Sequence, residues 1–158
     1  MRYSKFAWLL IPCALSNGCL STLPVEGAAS ADKGGDRTLG SVALYSERLG
    51  HSTFTPNTCR AGDREFFLGG DFIDEKSGFI ARLVFDPLDG AALRIFASGK
   101  SAEKSIVFHH DDCRALNYTF EPTSWRVNDV YDYRISVSFD CSKSGDGAKG
   151  EVSATHCH

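Results

Sequence analysis

Along Val130–Cys141, the residues Tyr131, Tyr133, Ile135, Val137, Phe139 and Cys141 fall on one parity, and Asp132, Arg134, Ser136, Ser138 and Asp140 fall on the other. Strict alternation predicts a β-strand with one face against a core and one face in water. A second segment repeats the pattern: Leu116, Tyr118 and Phe120 lie on one face, with Asn117, Thr119 and Glu121 opposite. Matching the apolar faces of the two as a hairpin sets Leu116 against Phe139, Tyr118 against Val137 and Phe120 against Ile135.

Further strands are expected upstream. The run 66–73 is apolar and interrupted by Gly69 and Gly70, which predicts a bulge or a tight bend. The run 79–85 closes on Asp86-Pro87-Leu88-Asp89-Gly90, a turn with Pro and Gly at suitable positions. Residues 92–98 and 104–110 are two more candidates, and 151–157 is a closing strand after the Gly-rich turn 143–150. The stretch 41–50 is ambiguous. Leu39, Val42, Ser46 and Leu49 are nearly helical in spacing and Gly50 would stop a helix, while a strand fits as well. Strands punctuated by Gly, Pro, Asn and Asp, with no convincing helical period after Gly50, predict an all-β fold. The expected form is a disulfide-stapled antiparallel β-sandwich or barrel of about seven to nine short strands.

With 158 residues the chain is one domain with a tail, and eleven Phe, five Tyr and two Trp supply the bulk for a core. A formal charge of −3, with acidic and basic residues interspersed, gives no electrostatic footprint for nucleic acid.

The six cysteines divide into Cys13 and Cys19 near the N-terminus and an even set of Cys59, Cys113, Cys141 and Cys157 in the presumed domain. An even set in an exported domain reads as two disulfides. The hairpin register sets Cys113 opposite Ser142, so a Cys113–Cys141 bridge would need a bulge. Tight pairing about Gly145–Gly147 would leave Cys141 near Gly150, so a Cys141–Cys157 bridge would need Cys157 to curl back. All three connectivities stay open, and the preferred one is Cys59–Cys113 with Cys141–Cys157.

Arg2 and Lys5 precede a charge-free run, Phe6 to Leu15, with the length of a secretory h-region and too short to span a bilayer. The segment Leu15-Ser16-Asn17-Gly18-Cys19 then resembles the lipobox of bacterial lipoproteins. The resemblance implies cleavage before Cys19 and its acylation. Asn17 departs from the family pattern by pushing Leu15 one place upstream. The competing cut lies after Ala29-Ser30-Ala31, which would release a soluble secreted or periplasmic chain. Residues 21–40, rich in Gly, Ala, Ser and Asp, have the composition of a flexible tether. The expected organisation is a signal peptide over 1–18, a tether over 19–40 and a β-sandwich domain over 41–158.

Candidate chemistry is sparse. His109, His110, Asp111 and Asp112 carry imidazole and carboxylate ligands, but neighbours on an extended chain point to opposite sides. A metal site there would need help from His156 or His158, and a solvated turn is the simpler reading. Asp71, Asp74, Glu75, Asp86 and Asp89 do not follow the spacing of an EF-hand loop. No GxSxG, SxxK or HExxH motif is present. Trp125 beside Arg126 is a candidate platform for a sugar or a partner, although a cap on the core is the favoured reading. No cofactor is expected and catalysis has no motif behind it. The leading expectation is an exported, lipid-anchored bacterial envelope domain with a binding or structural role, its partner a membrane and an envelope protein or glycan. The alternatives are a secreted or periplasmic hydrolase and a carbohydrate-binding module.

Overall fold

A computed structural model of the chain describes residues 37–99, 104–128 and 130–158. The leader, Cys19 and nearly all of the tether lie outside the described residues. Ten strands follow in order: β1 (Thr38–Tyr45), β2 (Ser52–Phe54), β3 (Thr58–Ala61), β4 (Leu68–Ile73), β5 (Phe79–Asp86), β6 (Gly90–Ala97), β7 (Ile106–His109), β8 (Cys113–Val127), β9 (Val130–Lys143) and β10 (Asp146–Cys157). They form two five-stranded antiparallel sheets, β2-β1-β10-β9-β8 and β3-β4-β5-β6-β7. The chain is therefore an all-β sandwich.

The structure sharpens two expectations about the strands. There are ten strands among the described residues rather than seven to nine, and β8, β9 and β10 run 15, 14 and 12 residues. The ambiguous segment after Gly40 is a strand, and β1 begins at Thr38. Its helical spacing has a local cause. Ser46 Oγ accepts from the backbone N–H of Arg48 and Leu49, and the Gly50 N–H closes onto the Ser46 carbonyl. A single tight turn thus mimics the start of a helix.

The β8–β9 hairpin takes the register that face-matching predicts: Leu116 opposes Phe139, Tyr118 opposes Val137 and Phe120 opposes Ile135. Ile135, Val137 and Phe139 face inward and are buried with Leu116, meeting Phe72, Leu83, Leu93, Ile95 and Phe108 from the second sheet.

The two sheets cross steeply. One end of β5 places Phe79 against Phe54 on the edge strand β2, with ring centroids 5.3 Å apart. The other end places Phe85 against Tyr118 and Phe120 on the opposite edge strand β8, at 4.6 and 5.0 Å. A strand that reaches both edges of the facing sheet must run across it, as in orthogonal sandwich packing.

Crossing decides the disulfides. Cys59 of β3 bonds Cys157 of β10, joining the sheets, and Cys113 bonds Cys141 within the first sheet. The preferred pairing, Cys59–Cys113 with Cys141–Cys157, is overturned on both counts. The bulge that a Cys113–Cys141 bridge needs is present: the register steps from Cys113↔Cys141 to Ala115↔Asp140, which loops out Arg114. Cys141 and Cys157 are kept apart because β10 runs on along β9 instead of curling back: the turn sits at Ser144 and Gly145, with φ of +50° and +85°, and Cys157 opposes Tyr133. Cys141 therefore opposes Ala148.

Gly69 and Gly70 make no bulge, since pairing runs unbroken through both. Gly70 is needed for close approach instead. A Cβ there would lie 2.7 Å from Ile135 Cδ1 and 3.2 Å from Cys157 Sγ, so a larger residue would force the Ile135 side chain to shift beside the inter-sheet bridge.

Candidate binding groove

Past Pro122, which opposes Tyr133, the β8–β9 register slips until Arg126 opposes Tyr131. Three residues, Thr123 to Trp125, thus face a single one, Asp132. The slip pushes β8 outward at the hairpin tip and leaves Asp132 beneath it, 1% exposed. A buried carboxylate needs partners. Asp132 has them on both oxygens: Oδ2 accepts from Thr123 Oγ1 at 2.8 Å and from His156 Nδ1 at 2.8 Å, and Oδ1 accepts from the Cys157 N–H at 2.9 Å. Burial raises the Asp132 pKa, but the hydrogen bonds from His156, Thr123 and Cys157 outweigh it and hold the carboxyl below its ordinary value. The ionised carboxylate can only accept, so His156 donates to it from Nδ1. His158 lies on the other side, with Nδ1 3.7 Å from Asp132 Oδ1 and no hydrogen bond of its own.

This network fixes the wall of a groove on the outer face of the first sheet. Glu121, Pro122, Thr123, Ser124, Trp125, Arg134 and His156 line it, around a volume of about 340 Å³. Thr123 is the hinge of the arrangement: its hydroxyl donates to Asp132 and accepts the Trp125 N–H at 3.1 Å. Trp125 itself is 69% exposed, which overturns its reading as a cap on the core. An indole held at its backbone and bare at its ring offers an exposed apolar face. Beside it Glu121 and Arg134 form a loose ion pair at 3.8 Å, both well exposed. On the far side of the tip, Arg126 stacks over the Tyr131 ring at 4.0 Å and donates to its hydroxyl.

The other singled-out residues are placed elsewhere. His109 and His110 are exposed at the end of β7, and Asp112 accepts from the His109 N–H and from Lys143 Nζ, each at 2.9 Å. His110 Nδ1 lies 3.8 Å from Asp111 Oδ1 in open solvent. These four residues close a turn, and His156 and His158 are not joined to them. No group of three or more His, Cys, Asp or Glu is placed to hold a metal ion among the described residues. Asp74 caps its own turn through the N–H groups of Lys76 and Ser77 and the Ser77 hydroxyl, and Asp86 caps the next through Leu88 and Asp89. Asp71 is buried against Arg82. Cys59, Cys113, Cys141 and Cys157 are all consumed by the two bridges.

Asp132 is a site member that the pattern alone does not distinguish from other carboxylates of a β domain. It sits on the polar parity of β9, and only the slip opposite it, invisible in an alternating pattern, buries it. No family model, no curated protein and no solved structure matches the chain.

Proposed function

We propose that the chain is an exported, lipid-anchored domain of the bacterial cell envelope that binds a glycan in the Trp125 groove. The leader and the Leu15–Cys19 segment support export and anchoring. Two disulfides suit an oxidising compartment. The observation that carries the binding reading is the exposed indole of Trp125, clamped at its amide and flanked by Glu121, Arg134 and His156. A sugar ring offers an apolar face for such a platform and hydroxyls for the surrounding charged and hydrogen-bonding groups, which fix its orientation. Among the described residues Trp125 is the single tryptophan, Trp8 lying in the leader, so its emission reports on the groove.

Two measurements test the reading separately. Mass spectrometry of the mature N-terminus from cells should find acylated Cys19; an unmodified N-terminus at Asp32 removes the anchor. Titration of Trp125 emission with chitin oligosaccharides and with soluble peptidoglycan fragments should show saturable change that Trp125→Ala abolishes. No response to any of them removes the glycan.

Hydrolysis is the second reading, favoured by one observation: Asp132 orients His156 in a groove that also holds Ser124. It ranks lower because no hydrogen bond links Ser124 to His156, which a serine nucleophile and its base require. Release of product from the same glycans, lost in His156→Ala, would reverse the order.

A further inference from the structure

Each sheet has two edges, and three of the four are short: β2, β3 and β7 have 3, 4 and 4 residues. The fourth is β8, with 15 residues and pairing only to β9. Short strands are a common protection for an edge, and proline, lysine, bulges and inward charges are others. Within β8 such breaks occur at the Arg114 bulge and at Pro122. Between them Ala115 to Glu121 runs in unbroken register with no proline, no lysine and no charge on the inward face. That face carries Leu116, Tyr118 and Phe120, and Tyr118 at its middle is 44% exposed although its ring meets Phe85 at 4.6 Å. The edge therefore offers unpaired backbone beside a half-covered aromatic shelf, the requirement for adding a strand.

Two features point to the strand that fits. The breaks are equidistant from Tyr118: Arg114 lies four residues before it and Pro122 four residues after. An antiparallel copy related by a two-fold axis through Tyr118 aligns the two unbroken stretches over their full length. It sets Leu116 against Phe120 on the inner face and Asn117 against Thr119 on the outer. Charge agrees with this direction. Arg114, 80% exposed, stands at one end of the stretch and Glu121, 62% exposed, at the other. Antiparallel self-pairing brings Glu121 of each copy beside Arg114 of its mate at both ends, whereas parallel pairing would bring like charges together. We propose that β8 is the interface of a two-fold homodimer in which the first sheets of two copies join into one continuous sheet.

The experiment places a photoreactive benzoylphenylalanine at position 118 of the full chain in cells. Irradiation should give a species of twice the chain's mass, with the cross-link falling within residues 114–122 of a second copy. A cross-link to a different protein would assign the edge to that partner and overturn the proposal, and so would the absence of any cross-link. Sedimentation of the purified full chain then checks direction. Arg114→Glu should raise the dimer dissociation constant about tenfold by opposing Glu121 of the mate at both ends. Adding Glu121→Arg should restore it to within about threefold. Circular dichroism confirms that the variants are folded, and a dissociation constant indifferent to Arg114→Glu would overturn the antiparallel register. Neither readout depends on the lipid anchor or on glycan binding.

Discussion

The two sheets present different outer faces to their surroundings. On the first sheet these outward side chains are small or within reach of water: Thr119 and Ser136 share a hydrogen bond at 2.7 Å, Asp140 is held by Arg114 and Lys149, and Glu121 sits 3.8 Å from Arg134. On the second sheet the outward row across the strands is Arg60, Asp71, Arg82 and Arg94, each the register partner of the next. Asp71 there is only 2% exposed, and Arg82 grips both of its oxygens at 2.7 and 2.8 Å. The Arg82 guanidinium also lies over the Phe67 ring at 4.4 Å and near the Phe96 ring at 5.4 Å. Away from Asp132, the first outer face can tolerate the loss of any one of these contacts, because water replaces it. The second cannot, because rings and aliphatic stems have displaced the water that would solvate its charges.

Asp71→Ala is the sharpest way to break the contrast. It removes the partner of the Arg82 Nε and leaves the guanidinium, on a side chain 18% exposed, held by Glu65 alone, at 2.5 Å from Nη2. Removing one member of a buried pair costs about 3–5 kcal/mol, and with Glu65 still in place urea unfolding should show a loss near the low end of that range. A loss below about 1 kcal/mol would mean that the second face is as forgiving as the first.

The next largest effects belong to the two disulfides. The Cys113–Cys141 bridge closes 28 residues and the Cys59–Cys157 bridge closes 98. Chain entropy assigns about 3.5 kcal/mol to the shorter loop and about 4.7 to the longer. Replacing Cys113 and Cys141 together by Ala should therefore cost about 3 kcal/mol by urea unfolding, and replacing Cys59 and Cys157 should cost more. Equal costs would show that the longer loop closed by the inter-sheet bridge brings no extra stabilisation over the shorter one.

Asp132 is the first sheet's own exception, a buried carboxylate at the hairpin tip. Its folded pKa is depressed, so its contribution to stability is present above the ordinary carboxylate value of 3.8 and is lost as pH falls below it. Asp132→Asn should cost about 2 kcal/mol at pH 7, from the weakened bonds to His156, Thr123 and the Cys157 N–H. The variant should also lose less stability than the parent chain between pH 5 and about pH 3. A parallel decline in both would detach Asp132 from the acid limb.

The same contrast shows what a pattern can reveal. Alternation is cleanest in β9, whose outward residues meet water, and there both the strand and its register against β8 are legible down to Tyr118 opposite Val137. In β5 and β6 the outward positions include Ile80, Val84 and Phe96, so polarity alternates poorly and strand limits blur. The disulfides were illegible for another reason. Pairing Cys59 with Cys157 follows from β3 lying across the end of β10, a product of sheet crossing that no periodicity within a strand records. Trp125 was misjudged because residue type alone suggests burial, while the three-for-one slip opposite Asp132 carries it out of the sheet.

Removing the Thr119–Ser136 contact is the mildest test. The pair is directly opposed on the outer face of the first sheet, with either hydroxyl free to donate. Thr119 is exposed and Ser136 half-buried, so water can reach whatever remains after truncation. Cross-strand hydroxyl pairs of this kind contribute roughly 0.2–1 kcal/mol relative to alanine. Because the site is wet, Thr119→Ala with Ser136→Ala should fall near the low end, about 0.5 kcal/mol or less by urea unfolding. Thr119 is also a residue of the open β8 edge, where β-branching favours the extended chain, so the single change Thr119→Ala should account for most of that loss. A cost above about 2 kcal/mol would show that water does not replace the contact, and the distinction between the two outer faces would then fail on the first sheet rather than the second.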